Sequence, residues 1–180
     1  MLAFLPSLLF FVLAPLTMSL ALWLGFAAAF AVGIRAFAAT RSIRLFDAAG
    51  LILFGGLALY TAFVNSEFSP TETALVLDSA LLAVILWSMA ARRPFTADYS
   101  WLKGEHPPER IARADLLLTA VWATAYALMA AIAAAAVVLH RLAPGWANVW
   151  GLVVFAATLT FTWQFGAYID RQATSRPGRR

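Results

Sequence analysis

One carboxylic acid lies inside a stretch with the length and apolarity of a transmembrane helix. Asp78 falls about one to two helical turns into residues 73–91. An ionisable group is costly inside lipid, so such residues commonly mark ion or proton pathways. A small transporter or channel with a polar path near Asp78 is one interpretation. The other is a carboxylate that stays hydrated close to the lipid headgroups.

Hydroxyl groups add to this pattern in two later apolar stretches. Tyr126 lies in the first of them, and Thr158 and Thr162 are spaced i, i+4 in the second. With Asp78 they could line a narrow polar path. Hydroxyls in transmembrane helices more often make hydrogen bonds between packed helices, and helix packing is the interpretation that we favour for them.

The most distinctive water-facing segment, residues 91–103, reads ARRPFTADYSWLK. It interleaves basic and aromatic residues, which are Arg92, Arg93, Phe95, Tyr99, Trp101 and Lys103. This mixture suits a segment that lies on an anionic membrane leaflet or docks a partner, so we expect the three aromatic side chains at headgroup depth. The alternative is a solvated connector with aromatic anchors. Nearby acidic residues offset its charge, and nucleic acid is not an expected partner.

The elements that hold these residues are long apolar runs. Of the 180 residues, 63% are apolar and 12% are charged, and the mean hydropathy is +0.81. A soluble domain has about 45–50% apolar and roughly 25% charged residues. A helix of about 20 residues crosses the hydrocarbon layer of ~30 Å. The sequence therefore predicts an all-α, polytopic transmembrane helical bundle that forms a single domain over residues 1–170.

About six spans are predicted. The first, about residues 2–13, is short because Pro15 follows it, and it is tilted, half-inserted or matched by a thinner bilayer. It lacks the basic start and the cleavage site of a signal peptide. The others cover about residues 19–38, 48–64, 73–91, 115–139 and 147–169, and a basic cytoplasmic tail, residues 171–180, follows them.

The basic residues are concentrated in alternate connectors. Two lie between spans two and three, and Arg35 lies near the same end of span two. Five lie between spans four and five and four in the tail, so that this set holds twelve of the thirteen. Connectors rich in Lys and Arg face the cytoplasm. The N- and C-termini are therefore predicted to be cytoplasmic.

The residue types that catalysis and metal binding require do not come together in this sequence. His106 and His140 fall in connectors on opposite faces of the predicted bundle, and the chain has no cysteine. There is also no glycine-rich phosphate loop and no Ser/His/Asp arrangement on one side. We expect no enzyme activity, no metal and no cofactor.

Short motifs follow one another in a fixed order over most of the chain. They are Phe4-Leu5-Pro6, Phe10-Phe11, Phe54-Gly55-Gly56-Leu57, Phe68 with Pro70-Thr71, Trp122, Trp146-Ala147-Asn148 and the FTWQFG sequence of residues 161–166. In order and spacing they resemble the bacterial intracellular septation protein A family. The segment Arg92-Arg93-Pro94-Phe95-Thr96 departs from that family, which has a shorter basic segment there.

The resemblance implies a multi-pass protein of the bacterial cell inner membrane. It implies a role in cell-envelope maintenance and septation, carried out through contacts with other inner-membrane envelope or division proteins or with further copies of the same chain. It implies no catalytic residues. The expected partners are thus the lipid bilayer and membrane proteins, and the small transporter or channel remains the alternative.

Overall fold

The computed structural model describes residues 4–65, 68–99, 108–139 and 146–174, without the side chains of 170 and 172–174. All regular structure in these ranges is helical, which confirms the predicted all-α bundle. The six helices are α1 (Leu5–Leu13), α2 (Met18–Thr40), α3 (Leu45–Phe63), α4 (Pro70–Ala90), α5 (Pro108–Leu139) and α6 (Trp146–Thr174), and a 3₁₀ turn covers Phe95–Asp98.

Five of these helices, α2 to α6, are long and apolar enough to cross a membrane. The chain is thus a multi-pass helical membrane protein. With nine residues, α1 is about 14 Å long, less than half of the hydrocarbon thickness. It packs against α2 and α6, so the short first span is a half-length helix held within the bundle.

The helix ends differ from the predicted spans where polar residues continue a helix. A capping box starts α4 at Pro70, because the Ser69 side chain accepts a hydrogen bond from the Glu72 backbone and the Glu72 side chain accepts one from the Ser69 backbone. At the other end of the chain, α6 continues to Thr174, four residues into the predicted basic tail. Charged residues are good helix formers, so hydropathy alone places such ends too early.

Aromatic rings fill the centre of the bundle where α1, α5 and α6 meet. Phe4 stacks on Trp122 with ring centroids 4.0 Å apart, and Phe155 meets Trp122 edge-on at 5.6 Å. All three side chains are fully buried. This contact fixes the half-length helix α1 against the two last spans.

Two glycines bring α2 and α3 together. A methyl group added at Gly25 would lie 2.7 Å from the Phe54 ring, and one added at Gly55 would lie 2.9 Å from the Phe26 ring. Each helix therefore seats a phenyl ring on a glycine of the other, which is the close approach expected of small residues in membrane helices. The neighbouring Gly56 has open space beside it.

Candidate functional site

The structure corrects the prediction for the segment after α4. Phe95 and Tyr99 are only 1% and 7% exposed, so their side chains pack inside the protein and do not face the lipid leaflet. Phe95 stacks on Phe46 of α3 with centroids 4.9 Å apart. The 3₁₀ turn folds back against α4 and α5 because its polar groups find partners there.

Hydroxyl groups anchor this turn. The Thr96 side chain is fully buried, donates a hydrogen bond of 2.7 Å to the Asp115 backbone carbonyl and lies 2.8 Å from the Thr119 hydroxyl. The Phe95 backbone N–H donates to the Ser88 hydroxyl at 3.3 Å. Thr96 was not identified as an anchor from the sequence, since a threonine between a phenylalanine and an alanine carries no signal of a remote partner.

A tyrosine–carboxylate pair joins the turn to α3. The Tyr99 hydroxyl donates a hydrogen bond of 2.8 Å to Oδ1 of Asp47, and the Arg44 guanidinium lies 4.7 Å from the Tyr99 ring centroid. Burial, followed by the charge of Asp47, raises the pKa of the Tyr99 phenol above its usual range, so Tyr99 remains a donor. The α2–α3 and α4–α5 connectors therefore meet at one end of the bundle, called here the basic end.

The two arginines predicted for this surface differ from the two buried aromatic side chains. Arg92 and Arg93 are exposed, and Arg92 adopts a left-handed backbone conformation with φ of 55° in the turn that follows α4. Trp101 and Lys103 lie outside the described residues. Of the four described residues of the predicted membrane surface, the two arginines are exposed and the two aromatic side chains are buried.

In the interior, two of the predicted polar residues are buried. Asp78 is 3% exposed, so it is not the hydrated carboxylate of one interpretation, and Tyr126 is fully buried. The Tyr126 hydroxyl makes no hydrogen bond with the described residues, and Ser7 of α1 is buried as well. Ser7 was missed because a lone serine in an apolar helix has no sequence signature.

The two predicted threonines of α6 do not join these residues through hydrogen bonds. Thr158 donates to the backbone carbonyl of Val154 and Thr162 to that of Thr158, both at 2.8 Å. A helix carbonyl four residues earlier satisfies each hydroxyl locally. The hydrogen bonds that these hydroxyls donate therefore stay within α6, and both side chains are buried in the bundle.

A small cavity lies among α1, α2, α3 and α4. It has a volume of about 10 Å³, and Ser7 and Asp47 lie in its wall together with apolar side chains of α2, α3 and α4. The second carboxylate oxygen of Asp47, Oδ2, is buried and accepts no hydrogen bond from the described residues. A cavity of this size holds about one water molecule when polar groups line it.

A much larger opening lies on the outer side of the bundle, between α5 and α6. This groove has a volume of about 650 Å³ and is mostly apolar. Its lining includes Ala120, Thr124, Leu128, Trp150, Val153 and Ala157, several of which are exposed. It is called here the α5–α6 groove.

No group of three or more His, Cys, Asp and Glu side chains that could hold a metal ion occurs within the described ranges. Comparison with models of known protein families, with curated proteins and with solved structures finds no match for this chain. The buried polar residues, the small cavity and the α5–α6 groove are therefore the features from which a function can be inferred.

Proposed function

We propose that this chain is a non-enzymatic protein of the bacterial inner membrane that supports envelope maintenance and septation by binding other membrane proteins. The observation that carries the proposal is that the open space on the outer side of the bundle is much larger than the cavity in its interior. The interior cavity measures about 10 Å³, whereas the α5–α6 groove measures about 650 Å³. The resemblance to the septation protein A family supports the cellular role.

The shape and lining of the α5–α6 groove suit a transmembrane helix of a partner protein. Ala120 and Ala157 have small side chains, and the Thr124 hydroxyl is satisfied by the Ala120 carbonyl at 3.0 Å. Between membrane helices the association is driven by close packing, because lipid offers no hydrophobic effect, and small residues permit that packing. The proposed occupant is one helix of another inner-membrane envelope or division protein.

The interior supports binding over solute transport. Phe4, Trp122 and Phe155 close the centre of the bundle, and a transported solute larger than a water molecule would have to displace them. The threonines that were predicted to extend a polar path from Asp78 donate to their own helix instead. The small transporter or channel is therefore the weaker proposal.

We further propose that the basic end faces the cytoplasm together with both termini. Arg44 and Tyr99 bring two of the basic connectors to one end, and basic connectors remain inside. Since the chain has no cysteine, labelling of a single introduced cysteine shows on which side of the membrane that position lies. Ser42→Cys should resist a membrane-impermeant label added to intact cells, and Thr17→Cys should react with it. The opposite pattern would overturn this orientation.

Filling the α5–α6 groove tests the proposed function. Ala157→Phe places a ring in the groove, and Ala156→Phe places the same ring on the neighbouring exposed position of α6 that does not line it. We expect Ala157→Phe to reproduce the division and envelope-stress defects of a deletion and to abolish co-purification of the partner. Ala156→Phe should behave as the unmodified chain.

Membrane level and unfolding temperature of both variants are measured in parallel, so that loss of binding is distinguished from loss of protein. If the two variants support growth and septation equally well at equal levels, the groove has no role in the function. If a deletion leaves division and envelope integrity unchanged, the cellular role is wrong.

A further inference from the structure

We propose that the small cavity is a binding site for one water molecule, which links Asp47 of α3 to Ser7 in the first turn of α1. Through this water the half-length helix α1 is tied to the basic end of the bundle. The site lies apart from the α5–α6 groove and does not depend on partner binding there. It rests on an unpaired buried oxygen, a cavity of matching size and the position of the α1 start at that cavity.

Asp47 supplies the acceptor for this water. Its side chain is 6% exposed, and Oδ1 accepts the hydrogen bond of Tyr99 at 2.8 Å. The other oxygen, Oδ2, is buried and accepts no hydrogen bond from the described residues. A buried carboxylate oxygen without a donor is costly, so a donor beside Oδ2 stabilises the bundle.

The start of α1 supplies the other side of the site. Pro6 and Ser7 belong to the first turn of this helix, and both line the cavity. The N-cap residue is Phe4, whose side chain has no oxygen to cap the first backbone N–H groups. A carboxylate across so small a cavity is also favoured by the positive end of the helix dipole.

The size and lining of the cavity select water over other ligands. Its volume of about 10 Å³ holds about one water molecule, and its two polar side chains are the minimum that a buried water requires. A Mg²⁺ or Ca²⁺ ion takes about six oxygen ligands, and Asp47 and Ser7 alone carry side-chain oxygens among the described lining residues. A water molecule can donate to Oδ2 of Asp47 and bond to the Ser7 hydroxyl.

This water completes a line of hydrogen bonds from the segment after α4 to α1. Tyr99 donates to Asp47 of α3, and the water extends the line to Ser7. Since α1 is too short to cross the membrane, its position depends on contacts inside the bundle. The stacking of Phe4 on Trp122 is an apolar contact of this kind, and the water site adds a polar one.

Radiolytic footprinting of the purified full chain in lipid bilayers tests the site. X-rays generate hydroxyl radicals from bound water as well as from bulk water, so a side chain beside a buried water is oxidised although solvent does not reach it. Phe46 and Phe54 line the cavity, whereas Phe10 and Phe155 are as deeply buried and do not. We expect oxidation of Phe46 and Phe54 and only background oxidation of Phe10 and Phe155.

Variants of the two polar residues identify what holds the water. Ser7→Ala and Asp47→Leu each remove one of its partners and should reduce the oxidation of Phe46 and Phe54 to background. Asp47→Asn keeps polar atoms at this position and should retain the oxidation. Ser79→Ala changes the same residue type at an exposed position and should behave as the unmodified chain. Because Ser7→Ala removes a single oxygen atom, it keeps the test valid if Asp47→Leu fails to fold.

A double-mutant cycle of Ser7→Ala and Asp47→Leu measures the link between the two helices. We expect their effects on the unfolding equilibrium constant to be non-additive by about fivefold, the effect of one hydrogen bond.

Three results would overturn the proposal. Oxidation of Phe46 and Phe54 no greater than that of Phe155 means that no water is bound. Additive effects in the cycle mean that the water does not join the two helices. Oxidation lost in Asp47→Asn as well means that the site requires the charge of the carboxylate, which a neutral water does not.

Discussion

The inward and outward sides of α5 are both apolar, yet they differ in how far their side chains are buried. On the inward side Leu118, Trp122 and Tyr126 are fully buried, whereas on the outward side Leu117 and Leu128 are almost half exposed. Hydropathy does not separate the two sides, because lipid accepts apolar side chains as readily as a protein interior does. The two sides differ in packing. On the inward side Trp122 contacts Phe4 and Phe155 and Tyr126 contacts Phe46, whereas the outward residues line the open α5–α6 groove.

The largest expected difference in stability between variants of the two sides comes from removing a tryptophan. Trp122→Ala deletes the ring that stacks on Phe4 and meets Phe155, and should lower the free energy of unfolding by about 3–5 kcal/mol. Trp150→Ala deletes a half-exposed ring beside the groove and should leave stability nearly unchanged. Unfolding by denaturant in lipid–detergent micelles measures both. Equal losses would show that the inward side is no more tightly packed than the outward one.

A smaller loss of stability is expected from filling the space at the paired glycines, where the facing sides of α2 and α3 meet. Gly55→Ala puts a methyl group into the space occupied by the Phe26 ring and should cost about 1–3 kcal/mol. Gly56→Ala has open space beside it and removes backbone freedom, so it should be neutral or slightly stabilising. Thermal unfolding of the two variants under identical conditions compares them, and a Gly56→Ala variant as unstable as Gly55→Ala would contradict this packing.

The smallest expected loss of stability comes from removing one buried hydroxyl at the basic end. Thr96→Val retains the shape of the side chain and removes its contacts with Asp115 and Thr119, at a cost of about 1 kcal/mol. Thr160→Val on the exposed side of α6 removes only a bond to its own helix and serves as the control. Limited proteolysis of the α4–α5 connector gives a second measurement. Equal cleavage rates in Thr96→Val and the unmodified chain would mean that this hydroxyl does not hold the turn.

Hydropathy and proline placement were sufficient to predict the number of helices and their all-α class. The half-length of α1 was also foreseeable from the break at Pro15. Helix ends were less predictable, because the capping box at Ser69 and the polar last turns of α6 extend helices without adding apolar residues.

The site was predictable only in part. Asp78 and Tyr126 were found because polar groups are rare in such helices, but the depth of Asp78 depends on how the other helices pack around it. The aromatic and basic composition of the segment after α4 indicated a membrane surface, yet Phe95 and Tyr99 are buried. Their position depends on Thr96 and on Asp47, whose hydrogen bond to Tyr99 joins residues 52 positions apart, and composition carries no information on such remote partners.

The most direct test of the difference between the two sides of α5 is a photo-crosslinking scan along that helix in living cells. A photoreactive residue is introduced at one position at a time, and the crosslinked membrane proteins are identified. We expect one recurrent partner at the groove positions, which are spaced three to four residues apart, and no partner on the other exposed side. The groove positions are Leu117, Val121, Thr124, Leu128 and Ile132, and the comparison positions are Leu116, Ala127, Ala131 and Ala135. Crosslinks without this periodicity, or a partner found equally at both sets, would contradict it.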